Sequence, residues 1–414
     1  MLTTFYPPYS FGGDATYIYR LANELARRGH GVDVAHCADA YHLLHSMEPS
    51  ERVSHLPGVT VHALRSGAGW LSPLLTQQTG RALLKAGAIR DLIAAGRFDV
   101  IHYHNMSLIG LDTIRFGRAV KLYTTHEHWL VCPMHVLWRN NREACRKRTC
   151  VSCQIVSRRP PQWWRYSGFA DRCLAAVDCF LSPSRFTVAK HRELGFGRPM
   201  VQLPYFLPER DDAASDVRPH PRPYALIVGR LEKIKGVQNV IRAFHDYRGC
   251  DLIVIGDGAY ESELRMMAHG LPHVEFLGRL PFEQIRAWYR HALALVVPSI
   301  CYEVFGIVMV EAFSTGTPAL VTPMGALPEI IEDSGGGMVY RTDPELIGML
   351  ERLQNEHGLR DELGRAGYDA YKRLWSETPH LERYFEIIRQ AADGTLSGHA
   401  RRSDGRARPL VQSE

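Results

Sequence analysis

The feature that most limits how this 414-residue chain can fold is a regular alternation in its second half. Short apolar runs stand at Tyr224–Val228, Asp251–Ile255, Val274–Leu277, Ala292–Val297, Pro318–Thr322 and Met338–Tyr340, each separated from the next by enough chain for a helix and a loop. Apolar runs of this length, bounded by turn formers, read as buried strands. Strands that recur after helical crossovers lie parallel, and their sheet is covered by helices on both faces. The first half reads the same way, with strands at Met1–Thr4, Val32–Ala35, Phe98–Asn105, Val120–Trp129 and Phe180–Ser184. A chain this long exceeds one hydrophobic core, so two domains are the natural count.

The boundaries follow composition. The stretch PERDDAASDVRPHPRP (Pro208–Pro223) is rich in proline and charge and has no periodicity, as in a linker. That gives an N-terminal domain over 1–205, a linker over 206–223 and a C-terminal domain over 224–375. Leu381, Tyr384, Phe385 and Ile388 make one apolar face of a further helix over 376–392. The glycine- and arginine-rich tail, 393–414, is expected to be disordered. The first strand is shorter than parallel strands usually are. Either the true start lies upstream or the first sheet is slightly clipped.

No apolar run reaches the ~18 residues that span a bilayer. Nine cysteines in a chain of this length do not form a secreted disulfide scaffold, which places the protein in a reducing cytoplasm. The net charge of +5 conceals an asymmetry: residues 1–205 carry 25 Lys+Arg against 14 Asp+Glu, and residues 206–414 carry 24 against 30. A basic first half can meet an anionic partner or the inner face of a membrane, or it can simply keep that domain soluble. No nucleic-acid partner is expected.

The stretch SICYEVFGIVMVE (Ser299–Glu311) concentrates the chemistry. It follows a buried strand that Pro298 stops, and Phe305–Phe313 reads as a helix. Backbone N–H groups near Val304, Phe305 and Gly306 would then favour an anion such as a phosphate, and Gly306 would let it come close. Glu303 precedes that site, and Glu311 lies about two turns inside the helix. This arrangement suits a ligand with hydroxyls on both sides of a diphosphate; the alternative is a plain strand–loop–helix with two solvated glutamates. Arg230 and Lys235, in GRLEKIKG (Gly229–Gly236), flank another strand-to-helix turn of the same sheet and can grip a diphosphate.

In the first half, Gly12 and Gly13 precede a helix whose Ile18, Leu21, Ala22, Leu25 and Ala26 share a face. This is a strand–glycine loop–helix unit of the nucleotide-binding type, or merely a tight turn. His102, His104, His126 and His128 cluster at strand ends, where ligands of open α/β sheets bind, and His126 is the best placed. Cys132, Cys145, Cys150 and Cys153, spaced C-x12-C-x4-C-x2-C with only one C-x2-C pair, can bind Zn²⁺ tetrahedrally and pin a coreless loop, although the spacing is irregular. Plain reduced cysteines and an iron–sulfur cluster are the alternatives. In RRPPQWWRY (Arg158–Tyr166), Trp163 and Trp164 can lie at a membrane interface, stack on sugar rings, or serve as core or lid residues.

Taken together, GRLEKIKG, EVFGIVMVE with its E-x7-E pattern, GALPEII (Gly325–Ile331), the glycine-loop segment FYPPYSFGGDATYIYRLANELARRGHGVDV and TTHEHW resemble the GT-B glycosyltransferases, and within them the retaining family GT4. The resemblance runs from about residue 3 to 390. It implies an α/β fold of two Rossmann-like, doubly wound parallel-sheet domains facing across a cleft, with a last helix crossing back to the first domain. It implies retaining transfer of a sugar from a nucleotide-diphosphate-sugar to a glycan or lipid-linked acceptor, as in polysaccharide or glycoconjugate synthesis. No divalent ion is implied, and the chain has no Asp-x-Asp motif. By the same resemblance Arg230 and Lys235 bind the donor diphosphate, Glu311 the ribose and Glu303 the sugar hydroxyls. Gly12 and Gly13 close over the phosphates, and His126 stands near the reacting sugar. A nucleotide-sugar epimerase and a catalytically silent nucleotide-sugar-binding protein share this scaffold and remain alternatives.

Overall fold

The computed structural model describes residues 1–43, 45, 47–49, 53–209 and 217–396. Part of the expected linker (210–216) and most of the expected tail (397–414) lie outside the described residues. The chain divides into two compact units. One comprises Met1–Pro183, Thr187–Leu203 and the residues from Leu381 on; the other comprises Ser184–Phe186 and Pro204–His380.

The first unit holds β1 (Leu2–Thr3), β2 (Val32–Cys37), β3 (Val59–Leu64), β4 (Val100–Tyr103), β5 (Val120–Thr124), β8 (Cys179–Ser182) and β9 (Met200–Gln202). Between β5 and β8 lies a small antiparallel hairpin, β6 (Trp138–Arg139) and β7 (Glu143–Ala144). The seven-stranded sheet runs β3-β2-β1-β4-β5-β8-β9, with every pair parallel. Its order reverses between β1 and β4, and crevices for ligands open beyond the carboxyl ends of strands at such reversals. The helix after β1 is Gly13–Arg27, with Gly12 at φ 85° as its N-cap. Ile18, Leu21, Ala22 and Leu25 are buried, as the spacing predicts.

Two strands were not legible as such. β3 has a mostly half-exposed burial pattern and β9 has only three half-buried residues, so neither offers an apolar run. The strands read as Phe98–Asn105 and Val120–Trp129 are shorter, at Val100–Tyr103 and Val120–Thr124. Their ladders end with the N–H of Thr4 on the Asn105 carbonyl and that of Thr125 on the Leu181 carbonyl.

The second unit holds β10 (Tyr224–Val228), β11 (Asp251–Ile255), β12 (Val274–Gly278), β13 (Ala294–Val297), β14 (Ala319–Val321) and β15 (Gly337–Val339). Its sheet runs β12-β11-β10-β13-β14-β15, again parallel throughout, and its order reverses between β10 and β13. Ala225, Leu226, Leu252, Ile253, Ala294 and Leu295 have no exposed surface. The helix expected from Phe305 begins at Ile307 and ends at Phe313. Phe305 is instead buried with its ring edge-on to Tyr205 and Trp375, and Gly306, at φ 102°, caps the helix. Glu311 consequently lies one turn into the helix, not two.

Candidate active site

The loops that leave β10 and β13 start from neighbouring strands at the order reversal, and their backbones touch. The N–H of Ile300 donates to the carbonyl of Ile234 at 3.0 Å. Gly236 has φ 76°, and a Cβ there would stand 1.9 Å from the Pro298 carbonyl oxygen, so only glycine permits this approach. On the other side, Gly325 has φ 68°, and a Cβ would meet the Glu303 carbonyl oxygen at 2.2 Å. The N–H of Ala326 donates to that same oxygen at 2.9 Å. Glu303 is therefore fixed between two loops that glycines bring into contact.

Lys235 follows from this placement. Its Nζ donates to Glu303 Oε1 at 2.7 Å, and Ser299 Oγ donates to the same oxygen. Thr322 Oγ1, bonded to the Ser299 carbonyl at 2.6 Å, steadies that donor. Burial alone would raise the Glu303 carboxyl, but the Lys235 cation and the two hydrogen bonds outweigh it and hold the group below its ordinary range. Burial would likewise lower Lys235, and Glu303 reverses that, so the ammonium is held above its usual value. Both side chains are charged at neutral pH. Arg230 stands close enough to act on both, and its own guanidinium pairs with Glu232 Oε1 at 2.7 Å while half exposed.

Donors on Lys235 and an acceptor on Glu303 remain open. An ammonium has three donors, and Glu303 takes one from Lys235. Both hydrogen bonds to Glu303 fall on Oε1, so among the described residues Oε2 keeps its capacity to accept. A cation with spare donors thus lies beside a carboxylate oxygen with a spare lone pair, which can receive an anionic group and a hydroxyl of one ligand.

The other expected residues of the second unit surround this pair in sequence. The Val304 carbonyl accepts from Ser184 Oγ at 2.6 Å, and Gly306 provides the cap described above. Glu311 is buried and accepts from Tyr289 Oη at 3.2 Å. A seven-residue helix has a weak dipole, so the anion-binding capacity expected of its N-terminus rests more on Lys235 and Arg230.

Gly12, Gly13 and His126 belong to the first unit, beyond the carboxyl ends of β1 and β5. His126 Nε2 is 2.8 Å from His104 Nδ1. Burial lowers His126 to about 3, and it lowers His104 well below the usual range with help from His102 and His126. Both rings are neutral at physiological pH, so His126 can position a group by hydrogen bonding but does not carry a charge. His102 bonds Thr124 Oγ1 at 2.7 Å and Tyr384 Oη at 3.0 Å. Singling out His126 missed its partner His104, although the i, i+2 spacing of His102 and His104 already places them on one side of a strand.

Trp163 and Trp164 part company: Trp163 is exposed, whereas Trp164 is a core residue bonded through Nε1 to the Gln77 carbonyl. Ser299, Thr322 and Tyr289 were not foreseen, because nothing local marks a hydroxyl as the partner of a distant carboxylate.

Residues 11–204 match the family described as Glycosyltransferase Family 4, and residues 209–370 that described as Glycosyl transferases group 1. The D-inositol 3-phosphate glycosyltransferase of Arthrobacter sp. is 26% identical over 408 residues, covering 92% of each chain. Sucrose-phosphate synthase of Thermosynechococcus elongatus superposes with a TM-score of 0.71 at 19% identity, over 95% of this chain and 98% of that one. The HepE protein of Anabaena, in complex with UDP-glucose, superposes with a TM-score of 0.67 at 16% identity, over 94% and 99%. Two Rossmann-like parallel sheets of this order make the chain a GT-B protein. With both halves matched to their family descriptions, it belongs to the GT4-type glycosyltransferases.

Proposed function

We propose that this glycosyltransferase moves a sugar from a nucleoside-diphosphate-sugar to a hydroxyl of a glycan or lipid-linked acceptor, with retention at the anomeric carbon. The observation that carries this reading is the Lys235–Glu303 pair, with spare donors on the ammonium and a spare acceptor on the carboxylate. Lys235 and Arg230 bind the diphosphate, Glu303 Oε2 accepts from a sugar hydroxyl, and Glu311 holds the ribose. The backbone at Val304, Phe305 and Gly306 completes the donor site. Gly12 and Gly13 serve the phosphates, and neutral His126 orients a sugar hydroxyl.

In the reaction the bond from the anomeric carbon to the β-phosphate oxygen breaks. The bond to the acceptor oxygen forms on the same face, and the acceptor proton passes to the departing phosphate. Lys235 and Arg230 stabilise the charge that develops on the diphosphate, so no divalent ion is required. The complex of HepE with UDP-glucose supports a nucleotide-sugar donor. Among the described residues no helix is long and apolar enough to cross a membrane. Exposed Trp163 and Tyr166, with exposed Arg158 and Arg159 nearby in sequence, give the first unit a surface suited to peripheral contact with an anionic membrane.

The test is a panel of nucleotide-sugars scored by thermal stabilisation, where a donor at 100 times its Kd adds about 2.7 kcal/mol. The stabilising donor is then incubated with and without glycan or lipid-linked acceptors. Transfer that needs the acceptor supports the proposal; an isomerised sugar from donor alone, or no stabilising donor at all, overturns it.

A further inference from the structure

The segment from Cys132 to Cys153 has no core of its own. Between Trp138 and Ser152 no residue is buried, and its regular structure is one hairpin of two-residue strands and the start of a short helix. It nevertheless holds four non-glycine residues at left-handed φ: His135 at 70°, Leu137 at 50°, Asn140 at 52° and Asn141 at 56°. For His135 and Leu137 this costs about 1–2 kcal/mol over an ordinary conformation, and less for the two asparagines, which adopt it more readily.

Cys132, Cys145, Cys150 and Cys153 line one partly open cavity with Trp138 and Arg139. The free room at its centre is about 20 Å³, enough for a body the size of a water or a single ion. No carboxylate or imidazole lines it, so the donor set is sulfur alone. Backbone N–H groups already point at two of the sulfurs: Asn140 donates to Cys153 Sγ at 3.3 Å, and Met134 and Leu137 donate to Cys132 Sγ. Cys145 Sγ instead donates to the Lys147 carbonyl at 3.3 Å, a contact that a thiolate gives up.

A second observation comes from Arg165. Its guanidinium lies over the rings of both Trp129 and Trp164, 4.8 Å from each centroid. Nη2 is shut off from solvent without a hydrogen-bond partner, and among the described residues no carboxylate pairs with it. The acidic groups near enough to favour it are Cys132, Tyr123, Cys150 and Tyr166, which carry charge only when ionised. Four neutral thiols leave this buried cation uncompensated, whereas four thiolates around a divalent ion carry a net double negative charge.

We propose that Cys132, Cys145, Cys150 and Cys153 bind one structural zinc ion as four thiolates, fixing the loop in place of a hydrophobic core. An all-sulfur donor set selects zinc or iron, and the metal content decides between them. No three of the four sulfurs lie within 4.8 Å of one another, so they must draw inward to reach the S–Zn distance of about 2.3 Å. Among the described residues the only three ligand atoms all within 4.8 Å of one another are those of His220, Asp251 and Glu275. There Arg222 already lies 3.1 Å from Asp251, so that acid is neutralised by a fixed cation. With all four positions taken by sulfur, the proposed zinc has no open site for chemistry.

The test uses the full chain purified without chelator from zinc-supplemented cells. About one zinc per chain is expected, falling at least tenfold in Cys150→Ser/Cys153→Ser and staying unchanged in Cys250→Ser. In case the double variant misfolds, wild-type protein stripped of metal and reloaded with Co²⁺ should show thiolate-to-cobalt charge transfer and tetrahedral d–d bands. Its loop, cut by trypsin at Arg142–Arg148 when stripped, should be protected when reloaded. Less than about a tenth of a zinc per chain together with a cobalt spectrum lacking sulfur bands overturns the proposal, as does iron in place of zinc.

Discussion

Replacing Lys235 by Met removes the ammonium and keeps most of its stem. Glu303 is then left with Ser299 as its direct donor and with the more distant field of Arg230. Breaking a fully buried ion pair costs about 3–5 kcal/mol, mostly from the stranded charge. Here the side chains keep 27% and 15% of their exposure, so water relieves part of that and about 2 kcal/mol remains. At about 2–4 °C per kcal/mol for a unit of this size, the second unit should melt about 4–8 °C lower. Glu303→Gln should cost a similar amount, because it strands the ammonium instead. The double variant Lys235→Met/Glu303→Gln strands neither, so it should lose less than either single variant and far less than the sum of about 4 kcal/mol. The assay is thermal and urea unfolding of all four proteins, with transfer measured on the same samples. All three variants should remain folded at 25 °C and should lose transfer. Additivity of the single changes within about 0.5 kcal/mol would show that the pair is not coupled and would refute the reasoning. Turnover above a tenth of wild type in any of them would refute the role given to Lys235 and Glu303.

Gly325→Ala should weaken donor binding at least tenfold, because its Cβ would stand 2.2 Å from the Glu303 carbonyl. Gly316→Ala, at φ 71° with nothing within 4 Å, should share the backbone cost of about 1–2 kcal/mol but leave the donor Kd alone; equal Kd values in both variants would count against the placement of Glu303. Acid should destabilise the first unit first. Burial lowers His36 and His191 to about 4 and His126 to about 3, against 6.5 for an unfolded histidine. Since the folded values are depressed, the neutral rings give their full stability above pH 6.5 and lose it as pH falls toward those values, by about 2 kcal/mol each at pH 5. Three such rings approach the whole stability of a domain, so the melting temperature of the first unit should fall steeply between pH 7 and 5; a flat profile would contradict the burial of these rings.

The sequence was most informative where burial is complete. β10 and β11 are apolar on both faces, and their limits were legible to the residue. β3 and β9 escaped notice because their residues are only partly covered, so no continuous apolar run marks them. The start of the Ile307 helix was misplaced for a different reason. Phe305 looks like a helical core residue, yet its ring is buried by Tyr205 and Trp375, contacts 100 and 70 residues away that no local pattern encodes. Arg230, Lys235 and Glu303 stood out by residue type at strand ends. The hydroxyls that orient Glu303 and Glu311 did not, because Ser299, Thr322 and Tyr289 acquire their roles only through the sheet.

The hydrogen bond between Tyr384 Oη and His102 Nδ1 joins residues 282 positions apart inside the first unit. During synthesis the ribosome has therefore made the whole second unit before the first receives its last helix. Until then the face of β4 bearing His102 awaits a cover, and the N-terminal half exists as an unfinished body that chaperones can recognise. Truncation just before Leu381 should yield a protein whose second unit folds and whose first unit is prone to aggregate, a vulnerability set by the order in which the chain emerges.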